Sequence, residues 1–108
     1  MHFHNTRGTA LANIIVALQK GITLFDSSIA GIGGCPYIPN ATGNVATEDL
    51  VHMLEQMGIE TGIDLERLIA TAKKVVKLVN VKPNSYMLMA GPASSLYAKP
   101  NKQEKKGE

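Results

Sequence analysis

Apolar positions recur along the chain at helical spacing in three places, with compact extended-looking runs between them. Over residues 9–20 (TALANIIVALQK), Ala10, Leu11, Ile14, Ile15, Ala17 and Leu18 form one broad apolar face. Thr9 stands where an N-cap belongs, and Gly21 where a helix-ending glycine belongs. Residues 22–29 (ITLFDSSI) follow at once, with β-branched and aromatic members, and predict a buried strand in which Asp26 and Ser27 are unexpectedly polar. Residues 30–43 are punctuated by Gly31, Gly33, Gly34, Pro36, Pro39 and Gly43 and predict a loop. A second helix is predicted over 47–57, where Leu50, Met53, Leu54 and Met57 follow i, i+3, i+4, i+7. Thr47 is its expected N-cap, Glu48 and Asp49 suit the positive end of its dipole, and Gly58 stops it. The third helix is predicted from about residue 64 to 79, with a stripe of Leu65, Leu68, Ile69, Ala72, Val75, Val76 and Val79 and with Lys73, Lys74 and Lys77 towards its C-terminal end. Residues 1–6 can form one more strand.

Strand, helix, strand, loop, helix, helix is the alternation that builds parallel strands with helical crossovers. Two strands cannot close a sheet, and a (β/α)8 barrel needs roughly 200 to 250 residues. The chain therefore reads as an α/β piece of a larger domain. Its motif-like sequence begins at the second residue, as expected of a chain that starts late. Residues 1–80 carry this pattern. Residues 81–108 are expected to be a variable, partly disordered tail, broken by Pro83, Pro92 and Pro100 and ending in KPNKQEKKGE.

Composition narrows the function classes. The 108 residues are 44% apolar and 19% charged, which is globular. Eleven Lys and Arg against nine Asp and Glu leave a net charge of +2, too small for a nucleic-acid footprint. No apolar run approaches the roughly 20 residues of a membrane span, and the N-terminus is not of signal- or transit-peptide type. The single cysteine excludes an intrachain disulfide and suits a reducing compartment. The expected location is cytoplasmic, with the mitochondrial matrix as the alternative.

Four residues can carry chemistry. His2 and His4, at i and i+2 on a strand, would present both imidazoles on one face, which is half of a metal site or a chance pair near a terminus. Cys35 sits in GIGGCPY, just past a strand end, as a reactive thiol or a small buried hydrophobe. Asn44 closes the loop, as a ligand or as the residue that shapes entry into the next helix. GIGG meets neither the GxGxxG nor the GxxxxGK[ST] spacing, so nucleotide binding is set aside. His52 reads as a surface residue.

The segments HFHNTRGTALAN, FDSSIAGIGGCPY and ATGNVATEDLVHMLEQMGIETGIDLERL resemble the 3-hydroxy-3-methylglutaryl-CoA lyase family over residues 1–79. The GGCPY…GN block is the most specific part. The resemblance implies the C-terminal portion of a (β/α)8 TIM barrel, its last two βα units and a following helix. It implies a divalent cation, Mg or Mn, held by His2, His4 and Asn44, with a further Asp ligand and a catalytic Arg on the first strand, outside this chain. It implies Cys35 as the catalytic loop cysteine and His2 as a participant in proton transfer. The implied reaction is a retro-Claisen cleavage to acetoacetate and acetyl-CoA, in leucine degradation and ketone-body metabolism. The implied partners are an acyl-CoA substrate and further copies in a homo-oligomer, without nucleic acid or membrane.

Two departures bear on this. Asn5 stands where these lyases commonly carry aspartate, a feature similar to the isopropylmalate and homocitrate synthases, and Ile38, Pro39 and Asn40 vary a stretch often richer in small residues. Cys35 favours the lyase, because the synthases typically carry an acidic residue there. The alternatives are a Claisen-type acyltransferase and a truncated, non-catalytic product; the chain alone is expected to be inactive.

Overall fold

A computed structural model describes residues 1–33 and 43–92. Its helices are α1 (Ala10–Gln19), α2 (Thr47–Gln56), α3 (Leu65–Val79) and α4 (Tyr86–Ala90). Single 3-10 turns lie at Thr6–Gly8 and Ile29–Gly31. No described helix is long and apolar enough to cross a membrane.

The helix ends follow local chemistry, though not always at the expected residue. After α1, Gly21 takes φ 87°, and the Gly21 and Ile22 amides donate to Leu18 and Ala17 carbonyls, each at 3.0 Å. Gly58 (φ 81°) closes α2 in the same way, with Gly58 and Ile59 amides on the Glu55 and Leu54 carbonyls. Both are the paired carbonyl-satisfying closure that glycine makes cheap. Asp64 caps α3 by accepting from the Arg67 amide at 3.2 Å. Thr9 precedes α1 as predicted, but its hydroxyl donates to Thr6 O, and Asn5 Oδ1 accepts the Ala10 amide instead, at 3.3 Å. Thr47 is the first residue of α2 and not its cap; Ala46 precedes it, and the Thr47 hydroxyl meets that of Ser27 at 2.7 Å.

The strands expected over 1–6 and 22–29 are not formed as continuous ladders. Among the described residues the extended chain meets at three isolated bridges: His2 with Asp26 and Ser28 with Ala46, both parallel, and His4 with Asn44, antiparallel. A ladder must repeat one orientation from one residue pair to the next. The 43–46 stretch meets one neighbour antiparallel, at His4–Asn44, and another parallel, at Ser28–Ala46, and each contact is a single pair. The described residues are mostly helix.

Period-two alternation nevertheless holds locally. Phe3 points away from His2 and His4 and meets Phe25, with ring centroids 6.3 Å apart. Phe3 and Phe25 pack against a buried cluster of Ala10, Ile14, Val45 and Leu50, joined by Leu11, Leu18, Met53 and Leu54. Helices α1 and α2 thus cover one face of the extended segments. Buried Ile69 and Ala72 belong to α3, which packs on α2 and on the Ile29–Gly31 turn.

The stretch read as a tail begins with structure. The α4 helix docks on α2 through Asp49, and the Asn84 amide donates to the Ala30 carbonyl at 2.9 Å. Residues 93–108 lie outside the described residues.

Candidate functional site

The two histidines share one face, as their spacing predicted. Their rings meet edge to face, centroids 5.0 Å apart and planes 74° apart. His4 pairs directly with Asn44: the Asn5 amide donates to Gly43 O at 2.9 Å, and the Val45 amide to Phe3 O at 3.2 Å. In that bond pattern the two central residues do not bond each other, and their side chains approach closely on one side. His2 is anchored from its other neighbour, its Nδ1 in contact with the Asp26 carboxylate.

Asn44 is held by a neck of close backbone contacts. Its Nδ2 donates to Ile32 O at 3.0 Å. A Cβ on Gly33 would stand 2.7 Å from that nitrogen, and a Cβ on Gly43 only 1.8 Å from the Gly33 carbonyl oxygen. Glycine is required at both because no side chain fits between the two limbs, and both take positive φ. The Asn44 Oδ1 atom is buried and has no hydrogen-bond partner among the described residues. A buried acceptor left unpaired costs about 1–3 kcal/mol. An amide oxygen of this kind is a donor that a hard divalent cation accepts. Among the described residues no three His, Cys, Asp or Glu converge on a point that could hold a metal ion. The structure thus sets the His2 ring against the His4 ring and pairs the His4 backbone with that of Asn44. Cys35 and residues 38–40 lie outside the described residues.

The sequence reading missed what Glu48 and Asp49 do. Both were read as dipole partners at the start of α2, yet both side chains are buried. Both Glu48 oxygens accept the Ala30 amide, at 2.9 and 3.1 Å. Ala30 is itself buried and in the left-handed region (φ 57°), which costs an alanine roughly 1–2 kcal/mol. The carboxylate thus holds the first limb of the neck in an unfavourable backbone state. Asp49 accepts the Tyr86 and Met87 amides at 3.0 and 2.9 Å and faces the Ser85 hydroxyl at 3.4 Å, capping α4 from another element. Adjacent carboxylates directly before Leu50 and Val51 were the only hint. His52, read as a surface residue, is half-buried.

Glu48→Ala should leave the Ala30 amide buried without an acceptor and lower the stability of the neck by about 1–3 kcal/mol. Hydrogen exchange at Ala30 checks this. Glu48→Gln, which keeps one acceptor oxygen, should lose less, and equal exchange in all three proteins would refute the role.

A family model described as HMGL-like matches residues 1–75. The chain belongs to the HMGL-like family. Its relatives include the hydroxymethylglutaryl-CoA lyase of Bacillus subtilis, 63% identical over 73 residues, covering 68% of this chain and 24% of that protein. The mitochondrial hydroxymethylglutaryl-CoA lyase of Gallus gallus is 52% identical over 90 residues, covering 83% of this chain and 30% of that one. Among solved structures, the Bacillus subtilis HMG-CoA lyase superposes with a TM-score of 0.77 at 55% identity, over 82% of this chain and 30% of that one. An HMG-CoA lyase from Acinetobacter baumannii, in complex with coenzyme A and 3-methylmalate, superposes with a TM-score of 0.81 at 43% identity, over 92% of this chain and 32% of that one. The HMGL-like chain thus carries part of a TIM-barrel enzyme fold and spans about a quarter to a third of the length of these relatives. Asn5, the departure that pointed towards the synthases, is buried, and its amide oxygen receives the first amide of α1.

Proposed function

We propose that this chain is the C-terminal portion of a 3-hydroxy-3-methylglutaryl-CoA lyase and supplies three of its metal ligands, His2, His4 and Asn44. The observation that carries the reading is the buried, unpartnered Asn44 Oδ1 beside the His4 backbone, in a chain of this family. Imidazole nitrogen and amide oxygen suit Mg or Mn once carboxylate and water complete the shell. Such an ion, when bound, offsets the negative charge that develops on substrate oxygen.

The reaction is a retro-Claisen cleavage. The tertiary hydroxyl of the substrate loses its proton, the adjacent carbon–carbon bond breaks, and its electron pair leaves on the acetyl-CoA enolate. Acetoacetate forms as the new ketone. The enolate carbon then takes a proton, which we assign to the Cys35 thiol, while His2 takes part in proton transfer near the hydroxyl. The glycine neck holds the Asn44 side chain and brings residues 33 and 43, which flank the segment with Cys35 in the sequence, close together. The substrate is an acyl-CoA, consistent with the coenzyme A bound by the Acinetobacter relative. The location is cytoplasmic in a bacterial setting, with the mitochondrial matrix as the alternative.

The test is reconstruction. Residues 1–90 should replace the matching stretch of the Bacillus subtilis lyase and yield a folded enzyme that forms acetoacetate with added Mg or Mn. The 108-residue chain alone should show no activity and should self-associate, because Leu24 and Leu78 are more than 80% exposed. A folded, metal-loaded chimaera without activity, or an active monomer of this chain, would sink the reading.

A further inference from the structure

Asp26 has no part in the reading above, yet it makes the closest polar contact at the site. We infer that Asp26 is a positioning residue: its carboxylate holds His2 through Nδ1 so that Nε2 is the nitrogen presented beside His4 and Asn44.

The register comes first. His2 and Asp26 form a parallel bridge in which the Asp26 amide donates to Met1 O at 3.1 Å. Neighbouring strands lie about 4.8 Å apart, so side chains leaving the same face at bridged positions are in reach of one another. Asp26 is the only charged residue in the 22–29 run, and this pairing explains why it is there.

The chemistry follows from the partners. An ionised carboxylate only accepts hydrogen bonds, so the His2 Nδ1 touching Asp26 Oδ1 carries the hydrogen. In the neutral ring the lone pair is then on Nε2. That is the protonation state a metal-binding imidazole needs, and a carboxylate behind the ring is a recurrent way to fix it. The His4 ring is edge-on to His2 at 5.0 Å, and the His4 backbone pairs with that of Asn44, so the nitrogen left free belongs to a ring with a second imidazole next to it.

Stability does not account for the contact. The two side chains are 50% and 68% exposed, and pairs so exposed contribute little to folding. Their value is in orientation.

This inference rests on the metal reading, and the experiment separates the two. In the reconstructed lyase with 15N-labelled histidine and no added metal, His2 should show the Nδ1–H tautomer. Asp26→Ala should shift it towards Nε2–H and weaken Mn2+ binding, followed by electron paramagnetic resonance, by about 10- to 100-fold. Asp26→Glu should restore most of both, and the melting temperature should stay close to that of the parent. An Nε2–H tautomer in the parent protein, or Mn2+ affinity unchanged in Asp26→Ala, overturns the inference. Loss of Mn2+ with no change of tautomer also overturns it, since Asp26 would then be a ligand. If His4→Ala binds Mn2+ as tightly as the parent, the metal reading fails, and the tautomer alone still decides what Asp26 does.

Discussion

Cys35→Ser in the reconstructed lyase should cut turnover by about 10²- to 10⁴-fold, the usual contribution of a positioned proton donor. Its Mn content should remain that of the parent. The reasoning is the mismatch between ligand and ion: a thiolate is soft, whereas imidazole, amide and carboxylate suit a hard cation. A serine hydroxyl keeps the size of the side chain but is a far weaker acid than a thiol, so it delivers a proton to an enolate poorly. The measurement pairs steady-state acetoacetate formation with metal analysis of the same preparation. Were the variant to purify without metal, Cys35 would be a ligand and the proton-donor assignment would be wrong.

Asn44→Ala should have the opposite signature. It deletes a buried side-chain oxygen that has no hydrogen-bond partner among the described residues, together with the Nδ2 bond to Ile32 O. Mn2+ affinity should fall by more than the roughly 10- to 100-fold typical of residues that act behind a ligand. Asn44→Asp keeps an oxygen in place and should retain binding, with altered rate because the site gains a negative charge. The two bonds can be told apart, since losing the Ile32 contact loosens the neck without touching a cation already held by the histidines. Titration of Mn2+ into Asn44→Ala, Asn44→Asp and the parent decides the matter. Parent-like affinity in the alanine variant would return Asn44 to a structural role at the entrance to α2.

Both variants probe residues singled out from sequence, and both depend on a neck that was not. The HxH spacing placed two imidazoles on one face, because side-chain direction along extended chain follows the local backbone alone. The same locality made the helices legible. α1, α2 and α3 stand close to where their apolar stripes put them, and the glycines at 21 and 58 close two of them. Strand pairing was less legible. Residues 22–29 have the composition of a buried strand, yet a ladder needs a partner in matching direction over successive residues, and that partner is not encoded within the run.

What the sequence by itself determined is therefore the set of local choices: three helices, two glycine stops, the shared face of His2 and His4, and the family to which the motifs belong. Tertiary structure decided the rest. It turned Glu48 and Asp49 from dipole partners into buried acceptors for amides 18 and 37 or more residues away. It moved the cap of α1 from Thr9 to Asn5, and it set Asp26 behind His2 across a separation of 24 residues. The physical reason is that helix stripes and turn chemistry are satisfied within a few residues of chain, whereas a buried polar group takes whichever partner the packing of distant segments brings within about 3 Å.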